Sequence, residues 1–279
     1  MQDEIEIKIM LLPENIALIK QWLTQQPIQK YQRQTLGNTY FDTPELFFAK
    51  AQMGLRVRTK NNQHEITLKM KGDIVGGLHI RPEYNLDLPN SQPDFKRLVS
   101  HYNLQIANSD AIAENLQATF STDFERESWL LNYQHSQIEI ALDMGIIKNR
   151  FGEEPICEVE FELKQGNLAD LFALIQNMPK RDGMWLSSLS KAQRGYFVGR
   201  MDKIAKEIEK LSACHLDNMA EVERYQVQQQ MADFLRLSPE ATILRSQLGL
   251  EHIPLGDIFD YLTSARYLDQ QLSHMQQRC

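Results

Sequence analysis

The sequence has few of the residues that staple small secreted domains or build zinc sites: three cysteines in 279 residues. Cys157, Cys214 and Cys279 are odd in number and show no CxxC pair, which argues against a disulfide framework and fits a reducing cytoplasm. No apolar run approaches the ~20 residues a membrane-spanning helix requires. The amino terminus is acidic and passes directly into a strand pattern, unlike a secretory signal. A cytoplasmic, soluble protein is therefore expected, with no membrane partner. A basic surplus is missing too: 30 Lys and Arg stand against 37 Asp and Glu, and the net charge of −7 argues against general nucleic-acid binding. GxSxG and HExxH are absent, and the seven histidines are scattered, which disfavours a serine nucleophile or a zinc centre. The stretch 72–77 has glycines but neither the GxxxxGK[ST] arrangement nor the strand-to-helix context of a phosphate-binding loop. It reads as a flexible connection.

What the chain has in quantity is alternation. Within residues 1–10, Glu4-Ile5-Glu6-Ile7-Lys8 has a period of two, so Glu4, Glu6 and Lys8 share one face of a strand and the isoleucines the other. The pattern returns with Arg56 and Arg58, with Lys69 at the end of Thr67-Leu68-Lys69, and with Arg81 and Glu83. It recurs with Glu139 and Asp143, and with Glu158, Glu160 and Glu162. A hairpin through Asn61-Asn62-Gln63 would bring Arg56, Arg58 and Lys69 together, where their mutual repulsion calls for an anion. Closed into one sheet with the charges inward, these strands would enclose a polar lumen. Unpaired buried charges are costly, so such a lumen needs water, metal or a polyanion. Carboxylates suit hard cations such as Mg²⁺ or Mn²⁺, and arginine forks suit phosphates. Together these groups describe a polyphosphate site.

The ordered set resembles the CYTH superfamily, the triphosphate tunnel metalloenzymes. It comprises Glu4-x-Glu6-x-Lys8, Leu55-Arg56-Val57-Arg58, Thr67-Leu68-Lys69, Glu158-Val159-Glu160 and Ser190-Lys191. The stretches 76–85 and 188–196 are similar to the bacterial inorganic triphosphatase branch. The resemblance implies an α+β fold: a closed antiparallel barrel of about eight strands with a charged lumen and helices packed outside. It implies metal ligation by Glu4, Glu6, Glu158 and Glu160, with Asp143 the better further ligand and Glu139 second. Arg56, Arg58, Lys69, Arg81, Arg126 and Lys191 would grip phosphates, with Arg126 inward between outward Glu125 and Glu127. Glu6, Lys8 and Lys191 would act in catalysis, Lys191 closing the site from a short helix capped by Ser190.

The tunnel domain is expected over 1–200. Beyond it glycine and proline thin out, and Ile204, Ile208 and Leu211 recur at helical spacing. Ser238-Pro239 and Pro254 divide 201–279 into about three helices, an appendage that packs on the barrel or forms a homodimer. It is too short for the histidine-bearing helical module, called CHAD, that follows some inorganic triphosphatases. The expected reaction is metal-dependent hydrolysis of inorganic triphosphate to diphosphate and orthophosphate. Thiamine triphosphate hydrolysis, class IV adenylyl cyclase activity and a non-catalytic polyphosphate or nucleotide sensor are the alternatives on the same scaffold.

Overall fold

A computed structural model describes residues 3–279; positions 1 and 2, assigned above to the first strand, lie outside the described residues. Ten strands form one antiparallel sheet: β1 (Asp3–Leu11), β2 (Ile28–Asp42), β3 (Gly54–Lys60), β4 (Gln63–Lys69), β5 (Asp73–Val75), β6 (Leu78–Leu88), β7 (Gln117–Tyr133), β8 (Ser136–Asn149), β9 (Gly152–Gln165) and β10 (Met184–Leu186). Eight of them close in the order β1-β9-β8-β7-β2-β3-β4-β6, because β1 pairs with β9 on one side and β6 on the other. β5 and β10 extend the sheet at β6 and β1.

The alternation in β1 decides what faces where. Ile7, Ile9 and Leu11 enter the outer core, each contributing about 1.5–3 kcal/mol of burial, and Glu4, Glu6 and Lys8 line the interior. Helices α1 (Ile16–Leu23) and α5 (Leu168–Asn177) cover the aliphatic backs of β1 and β7 to β9. Helices α2 (Phe47–Lys50), α3 (Phe95–His101) and α4 (Ser109–Glu114) cover β3, β4 and β6 through Phe48, Phe95, Leu98 and Ile112. The β3–β4 turn has Asn61 and Asn62 at φ 49° and 60°. Two left-handed residues are what a type I′ hairpin needs, and asparagine tolerates them.

Several expectations are corrected. The stretch 72–77 is not a plain connection: β5 forms inside it and pairs with β6 across Gly76-Gly77. β2 begins at Ile28, in a polar run whose sequence shows no clear period, and β7 pairs with it from Leu131 onward. β10 was not expected, since three residues carry no period. Residues 201–279 form five helices rather than about three: α7 (Met201–Ser212), α8 (Glu221–Leu237), α9 (Thr242–Gln247), α10 (Ile258–Leu262) and α11 (Ala265–Gln276), which follow α6 (Lys191–Phe197). They share a core around Met231, Leu235, Leu244 and Leu262. Tyr225, Leu268, Leu272 and Met275 join the core of the barrel instead.

Candidate active site in the barrel lumen

Strand register builds the site. Met10, Glu158, Asp143 and Arg126 are consecutive cross-strand partners on β1, β9, β8 and β7. In the next inward row Lys8 faces Glu160, which faces the small Ala141. The Arg126 guanidinium donates to Asp143 at 2.7 and 2.6 Å and to Glu160 at 2.6 Å. Arg126 points inward, and Glu127 outward to Lys20 and Tyr31.

Lys191 arrives from α6. Ser190 and Gln193 form a reciprocal capping box, Ser190 Oγ accepting from the Gln193 N–H and Gln193 Oε1 from the Ser190 N–H. Gly195 lets this helix seat against the barrel, since a Cβ there would lie 2.3 Å from the Phe120 ring. The Lys191 ammonium reaches Asp143 at 2.6 Å, Glu160 at 2.9 Å and Glu158. Burial works against that charge, but the three carboxylates outweigh it and hold Lys191 protonated above its ordinary range. Glu160 is likewise held ionised: Lys191, Arg126 and Lys8 overcome burial and keep its carboxyl well below the usual range. Arg194, one turn on, donates to Glu158 at 2.7 Å and to Glu154 at 2.8 Å.

A second charged group lies where β1 meets β6 and β4. Lys69 donates to Glu4 at 2.6 Å and lies 2.8 Å from Glu83. Arg81 donates to Glu6 at 3.0 Å. Burial pushes the Glu4 carboxyl up to about 7 despite Lys69. At Glu6, burial and Glu160 push upward, but Lys69, Lys8 and Arg81 prevail and hold it at about 2.

The third group is cationic alone. Lys8 is 1% exposed, and among the described residues no carboxylate lies within ion-pair distance of Lys8, Arg56 or Arg58. Arg58 Nε donates to Asn38 Oδ1 at 2.8 Å, a neutral partner. Burial, then Arg56 and Arg126, push the Arg58 guanidinium below its ordinary value. Arg56 Nε has no hydrogen-bond partner.

All three groups surround one cavity of about 1420 Å³, lined by Glu4, Glu6, Lys8, Arg56, Arg58, Lys69, Arg81, Arg126, Glu160 and Lys191. Asp143 and Glu158 lie behind that lining with no exposed surface. The five expected metal ligands are divided. Oxygens of Asp143, Glu158 and Glu160 lie within 4.8 Å of one another, whereas Glu4 and Glu6 are engaged with Lys69 and Arg81. The triad fits a divalent cation: its donors are all carboxylate oxygen, the hard ligands such ions take. Its charge is presently balanced by Lys191, Arg126 and Arg194. Sequence reasoning left Glu83, Asn38 and Arg194 out of the site. Glu83 shares the parity of Arg81, a signal that was available. Asn38 sits in a strand whose period is masked.

The CYTH domain family matches residues 2–196. An inorganic triphosphatase of Haemophilus influenzae is 43% identical over 200 residues, covering 71% of this chain and 56% of that protein. The chain thus spans little more than half the length of that relative. Among solved structures, a putative adenylyl cyclase from Hippeastrum has a TM-score of 0.47 at 17% identity, covering 71% of this chain and 96% of that one. A putative adenylate cyclase from Vibrio parahaemolyticus has a TM-score of 0.40 at 16% identity, covering 63% and 87%. With the family match running through every strand of the closed barrel and into α6, the chain belongs to the CYTH domain family.

Proposed function

We propose that the lumen hydrolyses inorganic triphosphate to diphosphate and orthophosphate with Mg²⁺ or Mn²⁺. One observation carries this reading. Three cations without carboxylate partners, Lys8, Arg56 and Arg58, share a cavity with a buried carboxylate triad. None of the three cations has a carboxylate within ion-pair distance, although Lys8 acts on Glu6 and Glu160 at longer range, and the triad has the donors for a metal. The Haemophilus relative, an inorganic triphosphatase, supports the same substrate.

Phosphoryl transfer depends mainly on positioning and on stabilising the transferred group. Arg56, Arg58 and Lys8 bind the phosphate chain, with Lys69 and Arg81 beside them. Arg126 and Lys191 orient Asp143, Glu158 and Glu160 and offer positive charge to the developing diphosphate. Asp143, Glu158 and Glu160 would hold a divalent ion, which when bound would supply Lewis-acid polarisation and lower the pKa of water. Glu6 stays ionised and fixes Arg81 through their 3.0 Å bond. Orthophosphate release from tripolyphosphate, thiamine triphosphate and ATP, each with Mg²⁺, Mn²⁺ or EDTA, tests the reading. Release from tripolyphosphate well above the others, abolished by EDTA, is expected. Tight binding without release from any of them would make the protein a sensor. Glu6→Gln should lose turnover while keeping its circular dichroism spectrum; full activity in that variant would remove Glu6 from the machinery.

A further inference from the structure

The cavity does not end with the barrel. Its wall continues over α7, where Lys203, Lys206 and Lys210 recur at helical spacing, and over α8 through Gln226 and Gln230. Lys50 at the end of α2 and Lys71 after β4 complete a collar of five lysines. Lys210 pairs with Glu207 at 2.6 Å. Among the described residues the other four have no carboxylate within ion-pair distance. In a chain of net charge −7 this is a local surplus of the opposite sign.

The helical wall is fixed to the barrel. Gln226 Oε1 accepts the Gly76 N–H at 2.7 Å, and the Tyr225 ring occupies the space beside Gly76, whose φ is 61°. Asp233 Oδ2 accepts both the N–H and the hydroxyl of Ser188, at 2.8 and 2.7 Å, just ahead of α6. The collar is therefore held at a set place relative to Lys191. The cavity's 1420 Å³ also exceeds the range of about 300–1,000 Å³ usual for small-ligand pockets.

We propose that the collar is a second phosphate subsite, so that the protein takes linear polyphosphates longer than triphosphate, with the added phosphates against Lys203, Lys206 and Lys210. This rests on the tunnel being a triphosphate site. The chemistry favours phosphate over a nucleoside at this end: five ammonium groups and two amides outnumber the carboxylates of Glu207, which is paired with Lys210, and Glu223. The Tyr196 ring, a surface on which a base would stack, has the Lys203 ammonium 5.2 Å from its centre.

The test is calorimetric binding to the full chain in EDTA, at fixed ionic strength, with tripolyphosphate, a longer linear polyphosphate and ATP. The longer chain should bind on the order of tenfold tighter than tripolyphosphate, given the modest worth of each exposed charge. Raising the salt should narrow the difference. The triple variant Lys203→Ala, Lys206→Ala, Lys210→Ala should bring the longer chain back to the tripolyphosphate Kd, while the tripolyphosphate Kd moves less than about twofold. Equal affinity for both chains in the wild type would overturn the collar and leave the tunnel reading intact. Equal weakening of both ligands in the triple variant, or an equal gain for ATP, would also overturn it. No tripolyphosphate binding either in EDTA or with Mg²⁺ would instead strike the tunnel reading, and the collar with it.

Discussion

The two walls of the lumen carry similar charges under opposite conditions. On β7 to β9, every carboxylate of the triad already has a cation: Lys191, Arg126 and Arg194 reach Asp143, Glu158 and Glu160 within hydrogen-bond distance. On β3, Arg56 and Arg58 have only neutral partners or none. The first wall is internally balanced and resists removal of any member. The second is in deficit until an anion arrives: burial and the neighbouring arginines disfavour the Arg58 charge, while at Arg56 burial is outweighed by Tyr40 and Glu83. Buried pairs and buried surplus charge thus call for different experiments.

The largest effect is expected on the balanced wall. Asp143→Asn removes the negative charge of the fully buried carboxylate that pairs with both Arg126 and Lys191. Breaking a buried pair from one side costs about 3–5 kcal/mol, so urea unfolding should show a loss of that order. Turnover should fall on the order of 10²–10³-fold, as when a preorganised charge is lost. A variant with wild-type stability would show that the wall is not the balanced network described.

On the opposite wall the two readouts should separate. Arg58→Met keeps the bulk and removes a cation that has no carboxylate partner. Ligand-free stability should fall less than in Asp143→Asn, by no more than about 1–3 kcal/mol, the cost of leaving the buried Asn38 Oδ1 unpaired. The tripolyphosphate Kd should weaken about 10- to 100-fold, the worth of one charge-assisted hydrogen-bonded contact. An Arg58→Met destabilised as much as Asp143→Asn that still binds tripolyphosphate normally would erase the distinction between the walls.

A pH series sharpens the same point. Burial and the neighbouring arginines push the charge at position 58 downward, towards the neutral form. A guanidinium starts high enough to keep its proton through the alkaline range, whereas a lysine starts near 10.4. In Arg58→Lys the same push brings the loss of charge into reach. Its tripolyphosphate affinity should therefore be highest below neutral pH and fall as pH rises through neutrality. The wild type should stay flat over that window, and parallel profiles would refute the downward push.

Legibility followed the range of the interaction. Glu4, Glu6 and Lys8 could be placed on one face from β1 alone, because parity is local. The closed barrel followed from repeating that pattern together with the family resemblance. The meeting of Asp143 with Glu158 depends on the register between β8 and β9, and that of Lys8 with Glu160 on β1 and β9. No local period encodes such registers, so the five carboxylates could not be divided into two groups beforehand. Glycine hid β5, and two-faced polarity hid the first half of β2. The approach of α7 and α8 to the tunnel left no local signal either, since Lys203, Lys206 and Lys210 read as an ordinary solvated helix face.

The smallest expected effect lies one residue from the balanced wall's Arg126. Arg126 and Glu127 are adjacent on β7 and face opposite ways: Arg126 binds Asp143 and Glu160 inside, and Glu127 accepts from Lys20 and Tyr31 outside. Glu127→Gln leaves an amide that still accepts from Tyr31 and removes one charge from a carboxylate whose ionic partner, Lys20, is open to solvent. Pairs of that kind contribute little, so the melting temperature should move by less than about 3 °C and turnover should not change. If Glu127→Gln instead cut turnover, charge on the outer face would be felt through the strand, and sidedness would not be what separates structural from functional charge here. If it is silent, the inside of one strand carries the chemistry, and the outside serves only to hold α1 against the barrel.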